Sequence, residues 1–337
     1  MTETSPRADS RHTVIASRRV ALQAAALTAL AFVATGCGVD RLDGSHGTGA
    51  PVPSRTGATT ALDADIRLVT EAIADEEGVG DFYAAAARRF PAQRALLGGL
   101  VVRQRMHVTR LRGSLTNLSP RVTHTRSRVP PHAQSLPVAL ASLALRARNS
   151  RSADCLTATS GLLAELFASM AAAHAITVLL VEPRVAATTV SRPDSVTPAD
   201  ELQPCLAAEH AAVFGYGLLG GVLSAGVSHA PAAEASVSSY EAHRARRDAL
   251  TELISAAGLQ PVAAEAAYDT PFPVAGVPTA RRLARYIEAR CAAVYARATA
   301  ATSGDARLLV SETLVDCATR GARWGTAPAA FPGLDES

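Results

Sequence analysis

Glu209 sits in a long apolar run, LAAEHAAVFGYGLLGGVL (residues 206–223), with His210 beside it. Glu209, Val213, Tyr216 and Gly220 fall at helical spacing, so the carboxylate lines up with residues that must face a core. A carboxylate in such a stripe needs a metal, a cation or a hydrogen-bond donor. The same half of the chain offers Glu241, His243, Glu288 and Glu312. A two-iron or two-manganese helical bundle sets one Glu on each of two helices and Glu-x-x-His on each of the others. That spacing turns both residues of a motif into one pocket, where carboxylates bridge the ions and imidazoles close them.

The spacing here departs from that pattern. Glu241 and His243 are two residues apart, about 200° around a helix, so only one can face inward. The apolar stripe Tyr240, His243, Arg247, Leu250 and Ile254 selects His243. Counted from a turn at Ser303–Gly304, Glu288 and Glu312 stand about 10 Å apart along their helices. The first half has Gln104-x-x-His107, with an amide where a carboxylate is needed, while Glu165 and His174 share no motif. The sequence therefore predicts no cofactor. The alternative is iron or manganese held by Glu209, His243 and either Glu288 or Glu312.

The non-metal expectation has its own partner for Glu209. A hairpin turning near residues 227–228 sets Glu209 level with Arg246 and Arg247, and a guanidinium fork satisfies a carboxylate bidentately. Glu209, Tyr240, His243, Arg246 and Arg247 are then a buried polar network, and no catalytic residue is assigned. No nucleophile–base motif, phosphate loop or zinc spacing occurs elsewhere.

The elements that must position these residues are helices. Aromatics make up only 4% of the chain and alanine is abundant, which suits closely packed helices. Helical patterns span 61–90 and 91–115, then 136–148 and 152–181, around a polar, proline-broken crossover at 116–135. The plan repeats as 199–223, 231–257, 279–302 and 305–324. This is an all-α chain of two tandem four-helix bundles, 61–182 and 199–325, with a linker at 183–198 and a tail at 326–337. Hairpin, long crossover, hairpin is the connectivity of ferritin-like bundles. ADEEGVGDFY (Ala74–Tyr83) aligns with AAEHAAVFGY (Ala207–Tyr216), matching Glu76 to Glu209 and Tyr83 to Tyr216, which points to internal duplication.

Three segments, LAAEHAAVFGYGLLGG, AHRARRDAL (Ala242–Leu250) and AAEAAYDTPFPV (Ala263–Val274), resemble an actinobacterial ferritin-like domain family of unknown function. The similarity covers about 200–324, and the first half looks like a more distant copy. The resemblance implies the bundle fold and a cell-envelope location, and brings no established reaction.

Residues 1–36 read as an export signal. Ser17–Arg18–Arg19–Val20–Ala21–Leu22 resembles a twin-arginine signal, and Ala34–Thr35–Gly36–Cys37 resembles a lipobox. Cleavage before Cys37 makes it the lipidated N-terminus, and the Gly-, Ser-, Thr- and Pro-rich stretch to residue 60 a flexible stalk. The alternative is an uncleaved anchor, and either way the body lies outside the cytoplasm. Formal charge is +3 for the whole chain and +1 without the leader, so nothing electrostatic points to nucleic acid.

Four further cysteines in an exported body predict disulfides. Cys291 and Cys317 lie at matching distances from the Ser303–Gly304 turn and are expected to pair, leaving Cys155 with Cys205. The function expected is that of an envelope lipoprotein with a non-catalytic binding or structural role. Its expected partners are the membrane, through lipid on Cys37, and an envelope protein.

Overall fold

The computed structural model describes residues 55–115, 127–182, 199–224 and 230–334, with residues 190, 193 and 194. The leader and Cys37 lie outside the described residues. Among the described residues there are eight α-helices and no strand. The first four are α1 (Arg55–Arg89), α2 (Arg94–Gly113), α3 (Leu136–Thr157) and α4 (Gly161–Val181). The second four are α5 (Gln203–Leu223), α6 (Ala230–Ala256), α7 (Val277–Ala301) and α8 (Gly304–Arg323).

Each group of four has the same arrangement. In the first, α1 pairs with α2, α3 with α4 and α1 with α3. Arg103 and His107 of α2 reach Thr177 and His174 of α4 across the middle. In the second, α5 pairs with α6, α7 with α8 and α5 with α7. Arg246 of α6 reaches Asp316 of α8 in the corresponding place.

Among the described residues, the larger of two apolar clusters is shared by the two groups, and the smaller, around Tyr83, Leu97 and Leu140, belongs to the first. Helix α4 is apolar on every side, and 15 of its residues are buried, as an interior helix requires. It packs on α7 and α8 as well as on α3, so one apolar cluster runs from Val69 through Phe167 to Trp324. At the start of α4 the approach is closest. A Cβ on Gly161 would stand 2.1 Å from the carbonyl oxygen of Ala300, so only glycine fits. Arg307 of α8 adds a polar link, donating to the carbonyls of Cys155 (3.3 Å) and Ala158 (2.7 Å) at the end of α3.

Three boundaries differ from the sequence expectation. Helix α3 runs through Asn149–Ser150–Arg151 to Thr157, whereas the helical patterns broke between 148 and 152. Arg151 is drawn inward by three carboxylates, which keeps the polar stretch helical. The real turn, at 158–160, is fastened by Asp65, which accepts from the amides of Thr159 and Ser160, both at 2.8 Å. Helix α1 begins at Arg55, inside the expected stalk. Residues 326–334, expected as a tail, return to the first half: Ser169 Oγ donates to Pro332 O at 2.9 Å, and Ala330 is buried.

Candidate functional site

The second half builds its polar core from α5, α6, α7 and α8. Glu209 is fully buried. Its Oε1 accepts from the Tyr295 hydroxyl at 2.7 Å, and its Oε2 lies 2.6 Å from His243 Nδ1. The other nitrogen of that ring, Nε2, lies 3.3 Å from Glu288 Oε1, which also accepts from the Tyr216 hydroxyl at 2.7 Å. Tyr216 stacks on the His243 ring. One imidazole thus stands between two carboxylates, each steadied by a tyrosine.

The arginine expectation for Glu209 does not hold. Arg246 donates to Asp316 and, at 3.6 Å, to Cys317 Sγ. Arg247 turns outward to Asp248. Arg246 and Glu209 still feel each other electrostatically, but the carboxylate takes its hydrogen bonds from a ring and a phenol that lie closer to its oxygens. Tyr240 packs against the apolar core. Glu312 is half-buried near Arg148. Tyr295, Asp316 and Arg320 join the network unannounced, although Glu288 and Tyr295 share a helical face two turns apart.

Burial alone would lower His243, but the Glu209 and Glu288 carboxylates outweigh it and lift the ring to about 10. Burial would raise Glu209, and His243 carries it below its ordinary value instead. The acids and bases of this network therefore match in number, while Glu288 Oε2 and Asp316 Oδ1 are buried without a hydrogen-bond partner. Glu209, Glu288 and Asp316 face protonated His243, Arg246 and Arg320.

The first half assembles a different set. Glu76 of α1, fully buried, lies 3.0 Å from His107 Nδ1 of α2 and 3.1 Å from His174 Nε2 of α4. Gln104 donates to the same carboxylate, and Arg151 Nη1 of α3 reaches it at 3.4 Å. His107 Nε2 is 2.8 Å from the carbonyl oxygen of Ala330. Burial would raise Glu76, yet His174 and His107 hold it well below the ordinary range, so it is a carboxylate. Burial also drives His174 toward its neutral form. The direction that governs here is the carboxylate's, since it also touches a guanidinium and an amide. Gln104, His107 and His174 were visible as candidates in sequence but their convergence was not, and Glu165 lies elsewhere, facing Arg297 and Arg110.

The cysteines correct another expectation. All four described cysteines are free. Cys291 and Cys317 do meet across α7 and α8, as their matched heights require, but as hydrogen-bonded thiols. Cys155 lies by Arg307 and Ser311, and Cys205 by Glu209 and Cys317, so the other expected bridge lacks the contact it needs.

A crystal structure of a conserved hypothetical protein from Mycobacterium tuberculosis is similar at 32% identity. The similarity covers 37% of this chain and 87% of that one, with a TM-score of 0.33. No curated protein matches the chain. Residues 201–336, which hold the closed network, carry the DUF4439 domain, a domain of unknown function.

Proposed function

We propose that this is an exported, lipid-tethered envelope protein whose helical body has a non-catalytic binding or structural role. The observation that carries this reading is the closed network of the second half. A general base needs a free lone pair within reach of its substrate. Both nitrogens of His243 are engaged, and Glu209, His243 and Glu288 have no exposed surface. The repeated hairpin, crossover, hairpin order supports reading both halves as ferritin-like bundles.

A two-metal centre is a poor fit for the second half on its donor geometry. Glu209 and Glu288 bond opposite nitrogens of one ring rather than converging on a shared point, and Glu312 lies by Arg148. The leader's lipobox supports attachment to the outer face of the membrane through Cys37. Binding has a surface at hand: an apolar groove of about 1280 Å³, walled by Leu62, Val102, Met106, Leu162, Phe331 and Leu334.

Two measurements test the reading. Cells carrying Cys37→Ala are expected to release the protein from the membrane fraction, and unchanged attachment and processing would overturn the tether. The full chain is expected to oxidise Fe²⁺ no faster than buffer. Turnover that disappears in Glu209→Gln would replace this reading with a ferritin-like oxidoreductase.

A further inference from the structure

We propose that the first half holds one divalent transition-metal ion on Glu76, His107 and His174, a site independent of the closed network in the second half. Among the described residues this is the set whose ligand atoms converge, all within 4.8 Å of one another. Three helices supply them, so the fold fixes their separation. An ion bound at about 2.1 Å in tetrahedral geometry sets its ligands about 3.4 Å apart. From Glu76 Oε2 the two ring nitrogens stand 3.0 and 3.2 Å away, and these two separations need to open by only a few tenths of an ångström.

The hydrogen bond at the far side of His107 makes the case sharper. A carbonyl oxygen only accepts, so His107 Nε2, 2.8 Å from Ala330 O, carries a proton. Nδ1 faces Glu76 Oε2 at 3.0 Å, and that gap is bridged either by a second ring proton or, once Nδ1 is deprotonated, by a metal ion. A histidine whose other ring nitrogen donates to a backbone carbonyl is the arrangement that orients metal-bound imidazoles.

Space agrees with this. Arg151 serves Glu76 together with Asp154 and the largely exposed Asp75. Beside the cluster is a cavity of about 10 Å³, walled by Tyr83, Arg103, Gln104, His107 and His174, with room for about one water-sized ligand. The Tyr83 hydroxyl in that wall is buried and has no partner. It would hold a water completing the shell. Two imidazoles and one carboxylate suit Zn²⁺, Mn²⁺ or Fe²⁺ and disfavour Ca²⁺, which prefers six to eight oxygens.

The test uses the full chain, stripped with EDTA, loaded with Zn²⁺ or Mn²⁺ and separated from free ion by gel filtration. The expected result is about one equivalent retained, unchanged in Glu209→Gln and reduced to under about a tenth in His174→Gln. Pulsed EPR of the Mn²⁺-loaded parent is expected to read two imidazole nitrogens, which needs no substitution and therefore no folded variant. Retention below a tenth of an equivalent by the parent would overturn the site and assign His107 as an imidazolium. Loss of the ion in Glu209→Gln would move it to the second half, overturning this inference and the closed-network reading together. Absence of nitrogen coupling would also overturn the site.

Discussion

The two halves solve one problem in different ways. Each buries a glutamate on its first helix against a histidine on its second, Glu76 with His107 and Glu209 with His243. In the second half the histidine lies between two carboxylates, each held by a tyrosine, while Arg246 and Arg320 neutralise Asp316. In the first half the corresponding space holds a second histidine, and a single arginine is shared among three acids. Two similarly arranged groups of four helices can therefore keep the buried acid and exchange what answers it. Engaging one imidazole on both sides gives a scaffold, and converging two imidazoles on one carboxylate gives a place for an ion.

The largest expected effect comes from opening the closed half. Glu209→Ala removes the acceptor of both His243 and Tyr295 and strands a protonated ring in a dry core. Breaking a buried pair from one side costs about 3–5 kcal/mol. Glu209→Gln keeps the shape and one acceptor and is expected to cost less. Urea unfolding measures both, and a loss under about 1 kcal/mol for the alanine variant would break the comparison.

Arg151→Met tests the first half in the same way. Its guanidinium is the shared partner of Glu76, Asp75 and Asp154, and its removal is expected to cost about 3 kcal/mol in metal-free protein. Zn²⁺ is expected to recover part of that loss, because an ion on Glu76 supplies the missing charge. Zn²⁺ is not expected to recover Glu209→Ala. Equal recovery in both variants would erase the distinction between the halves.

A smaller effect is expected from the C-terminal segment. Ending the chain after Thr326 removes the acceptor of His107 Nε2 and the contacts of Phe331 and Pro332. An orphaned buried donor costs about 1–3 kcal/mol. Thermal unfolding at matched metal content measures it.

How far the sequence reaches differs between the halves for the same physical reason. Helix periodicity and the turn at Ser303–Gly304 placed α5 to α8 within a few residues. They also brought Cys291 beside Cys317, though as thiols. Periodicity tells which face a residue takes, not which neighbour wins it. Arg246 was level with Glu209 yet went to Asp316, an acid hidden one position before Cys317 in an apolar stripe. In the first half, a search for Glu-x-x-His passed over Gln104-x-x-His107, because the carboxylate arrives from α1 and the second imidazole from α4. Ala330 was beyond reach altogether, since a backbone carbonyl leaves no mark in sequence.

The last expected effect is a pH dependence that belongs to the closed half. His243 faces Glu209 and Tyr216 from α5, and Glu288 and Tyr295 from α7, with Arg246 on its own helix. The carboxylates raise it from an ordinary value of 6.5 to about 10, so the folded protein holds its proton more tightly than the unfolded chain does. The stabilisation is complete below about pH 6.5, shrinks as pH rises above that value and is lost through about pH 10. Glu209 runs the other way. Its lowered value gives stability that is present above about pH 4.5 and is lost as pH falls through the folded value. The contribution of the pair is therefore greatest between about pH 4.5 and 6.5. Urea midpoints of the metal-free chain are expected to fall between pH 6.5 and 9.5, and His243→Gln to flatten that slope. A slope that survives His243→Gln but vanishes in His174→Gln would place the titrating ring in the first half and reverse the roles assigned to the two cores.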